Sequence, residues 1–421
     1  MRDRPTSQYP TLRPLLVPAM LAVPIARAAS IKPAGTRVAR GESLLIEPGE
    51  IGADALAPVA GTIVEHKAVD VLPSMPHHAA VIRTEPDAED SAARSQPTAE
   101  SATAIARPDE LGRWIDRIRS AGIWAHRTDC PDLVGQLQQL LKRPCDTVIC
   151  SALDNDAAVQ LNATLVATFG NEIRAAMQLL GSATGARRSL FITSFTDRPR
   201  AIGRTNLARW KKIGVRVMSV RNVYPQSDPT LLIHTLLKRR LRPGRLPTEL
   251  GVLLLDAPAA VAIGRLILNA QPMLDVPLVV CDVPGGRTHH LIVPVGTSVR
   301  QVLDSLAMLS DGMPLRAGDS LRHLTAGADA VIAGGETVLH VGYAGPNANP
   351  DPCIRCGWCV QACPTRVQPA AVFEASQNLD QFRAELFGVH ACIECGICTY
   401  VCPARLPLME AIRGLRHRRS S

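Results

Sequence analysis

Apolar residues along this chain change their period several times, and each change marks a new kind of element. Between residues 31 and 66 short apolar runs alternate with polar positions, "IKPAGTRVARGESLLIEPGE" and then "LAPVAGTIVEHKAV", with Gly35, Gly41, Gly49 and Gly61 at the breaks. Period-two runs cut by glycine predict short strands, and a β sandwich or barrel module over residues 1–84. Residues 85–107 hold almost no large apolar side chain and read as a linker. In "PDELGRWIDRIRSAGI" the residues Leu111, Trp114, Ile115 and Ile118 recur at helical spacing behind Asp109, a candidate N-cap. Four apolar runs follow, "DTVICSAL", "RSLFITSF", "VRVMSVR" and "GVLLLDAP", separated by helical stretches. That alternation predicts a three-layer α/β domain with a mostly parallel sheet over 108–270. The runs "VPLVVCDVPG", "THHLIVPVG", "TSVRQVLDSL" and "ETVLHVG" spell strand, strand, helix, strand, a small α+β module over 271–345. The hinge "YAGPNANPDP" then leads into a cysteine-rich C-terminal part, 346–421.

Length agrees with this division, since 421 residues exceed what one core usually holds. Aromatic residues make up 3% of the chain, which leaves the cores to Leu, Val, Ala and Ile. The net charge of +8 would suit an anionic partner, but the basic runs "ARWKKIGVRV", "LLKRRLRPGR" and "IRGLRHRR" lack the interleaved aromatics of single-strand binders. They read as solvated faces, and no nucleic-acid partner is expected. Near the start, "RPLLVPAMLAVPIARAAS" imitates a secretory leader, but Pro18 and Pro24 interrupt it and the thiols described next belong in a reducing compartment. A cytosolic location and membrane contact by docking alone are the expectations. The hairpin-like N-terminal pattern is similar to that of biotinyl and lipoyl carriers, yet Lys67 lies outside any tight turn, so a structural module is expected there.

The chemistry concentrates in two blocks, "CIRCGWCVQACP" from Cys353 and "CIECGICTYVCP" from Cys392, 39 residues apart. Each has the form C-x-x-C-x-x-C-x-x-x-C-P. Three thiolates at this spacing wrap a loop round three corners of an iron–sulfur cube, and the fourth ligates the cube held by the other block. The pattern assigns Cys353, Cys356, Cys359 and Cys402 to one 4Fe-4S cluster, and Cys392, Cys395, Cys398 and Cys363 to the other. Disulfides or structural zinc are the alternatives, and neither calls for eight cysteines in duplicated register. Gly357 and Gly396 allow tight packing after the second cysteines, and Pro364 and Pro403 turn the chain after the fourth. Between the blocks Val372, Phe373, Leu379, Phe382, Leu386 and Phe387 recur helically, predicting a helical two-cluster ferredoxin domain. Cys130, Cys145, Cys150 and Cys281 share no spacing and read as buried structural thiols. Such a module offers a substrate no acid, base or nucleophile, so no catalytic residue is assigned.

These residues resemble the C-subunit family of the Rnf electron transport complex, an ion-translocating NADH:ferredoxin oxidoreductase. The cysteine blocks carry most of the likeness, with support from "KPAGTRVARGE", "APVAGTIVEH", "IDRIRSAGI", "NVYPQSDPTLLIHTLLKRRLRPGRLPTELGVLLLDAPAAVAI" and "VPVGTSVRQVL". The resemblance implies that 271–345 is a soluble-ligand-binding β-grasp module, and that 108–270 corresponds to the family's domain for NADH and flavin mononucleotide (FMN). The chain departs from the family at that site. No glycine-rich loop follows "AGI", where the sequence runs "AGIWAHRTDCPDLVGQL"; "CSALDNDAAVQLN" replaces an acidic segment; and Ser227, Asp228 and Pro229 stand where glycines and an acid are expected. FMN and NADH binding are therefore not expected, although Asp154 and Asp156 could touch a ribose if they are not simply helix caps.

The resemblance further implies an electron-transfer subunit at the cytoplasmic face of a bacterial inner membrane, peripheral, with the other complex subunits as partners. The "LRHRR" tail could add attraction to an anionic leaflet. Two other functions fit the same residues: a subunit that keeps its own NADH oxidation through a flavin, and a redox-sensing binding protein.

Overall fold

A computed structural model describes residues 9–25, 30–47, 53–72, 75–85, 107–127, 129–156, 159–195, 203–308, 312–322, 324–343 and 349–417. The fold is mixed α/β with three sheets and a C-terminal helical part that carries the cysteines. Gly49, most of the 85–107 segment, residues 344–348 of the hinge and the tail beyond His417 lie outside the described residues.

The four apolar runs of the middle region become the strands Thr147–Ser151, Arg188–Ser194, Val215–Val220 and Val252–Asp256. All pair in parallel, and Val252–Asp256 joins on the far side of Thr147–Ser151. Alternate side chains enter two cores: Ile149, Leu190, Ile192 and Leu254 pack with Leu232 and Ile233, whereas Val148, Cys150, Phe191 and Leu253 pack with Ile118, Met177 and Ile263. This two-sided burial explains why these strands read as unbroken apolar runs. The strand order reverses direction between Thr147–Ser151 and Val252–Asp256, and at such a switch point the carboxyl ends of the strands open a crevice.

The N-terminal strands Met20–Ile25, Met75–Thr84, Gly61–Val71 and Arg37–Val38 form an antiparallel sheet in that order. The leader-like stretch thus contributes a strand of the fold, with Pro24 on an edge, where its missing N–H breaks no ladder. Lys67 lies within the long strand Gly61–Val71, its ammonium 3.9 Å from Glu65. The third sheet runs Arg13–Pro14, Arg287–Pro294, Asp275–Asp282, Val338–Val341, Leu315–Ala317, Leu324–Thr325. It shares one apolar core with the N-terminal sheet, joining Val23, Ile63 and Leu72 to Val280, Val293 and Leu339. A sequence read in linear order separates these strands; packing unites them.

The helix Leu111–Ser120 buries Leu111, Trp114, Ile115 and Ile118 as its spacing predicts. Asp109 is not its N-cap: a short 3-10 turn, Pro108–Glu110, precedes the helix, and the Glu110 carboxylate accepts the Arg107 N–H at 2.8 Å. Among the described residues no helix is long and apolar enough to cross a membrane.

Candidate metal centres

The two cysteine blocks fold as near copies offset by 39 residues. Helices Trp358–Gln361 and Pro369–Gln377 of the first recur as Ile397–Tyr400 and Leu408–His417 of the second. Positive φ angles occur at Arg355, Gly357 and Arg366, and again at Glu394, Gly396 and Arg405. Left-handed residues just before and after the second cysteine turn the loop back on itself and aim backbone N–H groups inward. The Glu394 N–H donates to Cys392 Sγ and the Val367 N–H to Cys363 Sγ, both at 3.3 Å.

The structure brings the eight sequence-predicted cysteines together in two sets. Cys353, Cys356, Cys359 and Cys402 line one cavity of about 210 Å³. Cys363, Cys392, Cys395 and Cys398 line a second, tighter one of about 20 Å³. In each set three thiols come from one block and the fourth from the other, because the helices Pro369–Gln377 and Leu408–His417 pack together and return each fourth cysteine beside the opposite loop. Among the described residues no three His, Cys, Asp or Glu side chains stand close enough for a single metal ion. Four soft sulfur donors, in cavities whose linings hold no Asp, Glu or His, make a donor set suited to an iron–sulfur cluster.

The surroundings of the two sets differ. Cys353 and Cys356 are exposed, whereas Cys392, Cys395 and Cys398 are buried. Burial pushes the Cys392 thiol up to about 12, and pushes the Cys395 and Cys398 thiols up as well. The second loop is clamped from behind. Glu394 Oε1 accepts from Arg416 at 2.7 Å, Glu394 Oε2 accepts from Arg413 at 2.9 Å, and Arg416 also donates to the Cys392 carbonyl at 2.7 Å. The Tyr224 hydroxyl, from the α/β region, donates to the Cys395 carbonyl at 2.6 Å. A Cβ on Gly396 would lie 2.0 Å from the Leu321 carbonyl oxygen, so this loop meets the body backbone to backbone.

Beside the buried set, at the switch-point crevice, lies a cavity of about 520 Å³ whose lining includes Asp129, Asp154, Asp256, Asp319, Arg322 and Glu336. The helix N-termini facing a crevice of this kind are where a nucleotide phosphate would bind. Here the protein's own carboxylates occupy them. Asp154 accepts the N–H groups of Asn162 at 2.8 Å and Ala163 at 3.1 Å, so it is a helix cap. Asp256 accepts the Ala259 N–H at 3.0 Å and a two-pronged bond from buried Arg127, at 2.6 and 2.8 Å. Arg127 sits in the segment that lacks a glycine-rich loop and also donates to the Gly334 carbonyl at 2.8 Å. Asp156 accepts from Ser320. Of the residues that depart from the family after "YPQ", Ser227 donates to Asn155, and Asp228 pairs with Arg322 at 3.0 Å.

Sequence reading missed Arg127, Arg322, Asp129, Asp319 and Glu336. Asp256 alone carried a signal, an acid at a strand end two residues before a proline, the signature of a helix cap. The remaining four unassigned cysteines are buried, Cys130, Cys150 and Cys281 with their thiols raised by burial.

Residues 352–406 match the 4Fe-4S dicluster domain family. Curated relatives bear the name of the C-subunit of the ion-translocating oxidoreductase complex. The Serratia proteamaculans (strain 568) protein is 24% identical over 83% of this chain and 49% of its own length. That of Edwardsiella ictaluri (strain 93-146) is 26% identical over 57% of this chain and 30% of its own. That of Haemophilus influenzae (strain 86-028NP) is 29% identical over 52% and 33%. The chain therefore spans about a third to a half of the length of these relatives. A solved NAD+-reducing [NiFe]-hydrogenase, air-oxidized, overlaps 78% of this chain and 56% of its own at 14% identity and a TM-score of 0.46, too loose a match to carry a functional reading. The chain is similar at low identity to the C-subunits of ion-translocating oxidoreductase complexes, and the segment that holds both cysteine blocks matches the 4Fe-4S dicluster domain family.

Proposed function

We propose that the protein is an electron-relay subunit of an Rnf-type membrane complex, with Cys353, Cys356, Cys359 and Cys402 holding one 4Fe-4S cluster and Cys363, Cys392, Cys395 and Cys398 the other. The observation that carries this reading is the exchange of the fourth cysteine between two otherwise self-contained cavities. When bound, such clusters accept and release single electrons. The chain's residues set the conditions at each site. N–H donors at Cys363 and Cys392 stabilise negative charge on sulfur, and the Glu394, Arg413 and Arg416 clamp fixes the buried loop. Exposed Ile354, Trp358 and Val360 collar the other site, which suits contact with a partner subunit.

In this reading the parallel-sheet region is a three-layer domain that has given up FMN and NADH, since Asp154 and Asp256 already satisfy the helix N-termini and would repel a phosphate. It persists as scaffold, together with the β-sandwich and β-grasp modules. The partners are the other complex subunits, at the cytoplasmic face of the membrane, where this chain docks peripherally.

Anaerobic reconstitution tests the reading. About eight irons and eight sulfides per chain are expected, with no flavin retained and no dye reduction by NADH. Replacing Cys402 should disturb the signal of the cluster held by the first block, and replacing Cys363 that of the second. Four irons, tetrahedral zinc, or flavin bleached by NADH would overturn it.

A further inference from the structure

We infer that the carboxylate pair Asp129 and Asp319 is a redox-linked protonation site, taking up one proton when the neighbouring site bounded by Cys363, Cys392, Cys395 and Cys398 gains one electron. This rests on the relay reading above.

The side-chain amide of Asn155 donates to Asp129 Oδ2 and to Asp319 Oδ2, each at 3.1 Å. Ser227 donates to the amide oxygen, which fixes the nitrogen toward the acids. Two carboxylates gathered on one amide nitrogen inside a cavity repel each other when both are ionised, and the Asp319 charge raises Asp129. Asp129 Oδ1 is buried and lacks a hydrogen-bond partner, a place for a proton or its donor.

The charges around the pair do not balance it. Arg322 faces it, but its Nη2 is committed to Asp228 while its Nε and Nη1 are buried without partners. One guanidinium therefore serves three carboxylates. Asp156 adds to the negative side, and Glu336, which burial raises to about 7, joins it once ionised. His340 donates to the Gly318 carbonyl and is pushed toward neutrality by burial, and the hydroxyl of Tyr224 is occupied by the Cys395 carbonyl. Burial raises both members of the pair above the ordinary carboxylate range, and each faces cavity space through which solvent can deliver a proton.

Arg322 links the pair to the metal site. Its carbonyl accepts from Arg413 at 3.4 Å, its neighbour Leu321 abuts Gly396, and its charge acts on Cys395 as well as on the pair. A negative charge added at the cysteines draws on the same guanidinium, weakens its hold on the carboxylates and raises their proton affinity. With a cluster held by the four cysteines the step would balance: one electron from a one-electron donor would be matched by one solvent proton bonding to a carboxylate oxygen, with the proton's bond to solvent exchanged for one to the acid and net charge unchanged. Oxidation reverses it.

The test uses the full reconstituted chain, titrated with dithionite under paramagnetic-resonance monitoring between pH 6 and 8. Of two one-electron steps, one should shift tenfold in its oxidised-to-reduced ratio per pH unit, about 59 mV for one electron, and that step should be the one lost in Cys363→Ala. Asp129→Asn and Asp319→Asn should flatten the dependence at unchanged iron content. Full reduction in weak buffer should take up about one proton per chain, and this count decides the matter should a variant fail to load iron. Two pH-independent steps, no proton uptake, or a slope that survives both variants would overturn the inference while leaving the relay intact. Four irons or none would sink both.

Discussion

Two loops of nearly one sequence, with matching left-handed residues and matching helices, end in opposite surroundings. Ile354 is 67% exposed and its counterpart Ile393 is 7% exposed. Arg355 is exposed, whereas Glu394 is gripped by two arginines. Gly357 has open space where a Cβ would go, while Gly396 touches the Leu321 carbonyl. Local sequence built both loops, and docking against the body made one of them interior. In the proposed relay this asymmetry would shield one site and leave the other within reach of a partner.

The contrast can be broken in several ways. The largest effect belongs to thiol reactivity in iron-free protein. Because burial lifts Cys392 from 9.0 to about 12, its thiolate population falls about a thousandfold. Alkylation followed by peptide mass mapping should label exposed Cys353 and Cys356 at least about a hundredfold faster; equal rates would mean that the second loop is not docked. Next comes Gly396→Ala, which adds a backbone clash to the strain of positive φ and should destabilise by more than about 3 kcal/mol, against about 1 kcal/mol for Gly357→Ala. Denaturant unfolding distinguishes them, and matching losses would refute the difference in packing.

Glu394→Gln should remove about 2 kcal/mol, since it strands two partly buried arginines, while Arg355→Gln stays within about 0.5 kcal/mol. Glu336→Gln sharpens the picture on the body side. Burial raises Glu336 to about 7, so the folded chain holds this proton more tightly than the unfolded one. Stability is then complete below the ordinary carboxylate range and is lost as pH rises toward 7. The variant should melt above wild type at pH 8 and level with it near pH 4, and a pH-independent difference would refute the assignment. Smallest in stability terms is Trp358→Ala, within about 0.5 kcal/mol for a half-exposed side chain, although it should slow electron exchange with an isolated partner subunit.

Legibility varied by region for physical reasons. Strands buried on both faces announce themselves as apolar runs, and all four of the parallel sheet were readable. The segment between the cysteine blocks is helical as expected, yet Leu379, Phe382 and Leu386 lie on the outside, because recurrence reveals a helical face but not what covers it. Strand Arg13–Pro14, pairing with Arg287–Pro294, was invisible, since two residues cannot show a period. Asp154 illustrates the same limit in chemistry. As an acid at a strand end it fitted a ribose contact or a cap, and only its bonds to the Asn162 and Ala163 N–H groups decide for the cap.

By itself the sequence determined the eight thiols, their register and the turns that present them, because ligand spacing and left-handed glycines act over a few residues. Tertiary structure alone decided which loop is buried, that Arg127 pairs with Asp256 at the switch-point crevice, and that Asp129, Asn155 and Asp319 meet. The Arg127–Asp256 and Asn155–Asp319 contacts join residues more than a hundred positions apart. Burial and charge pairing at that range depend on how whole layers pack, which no local pattern encodes.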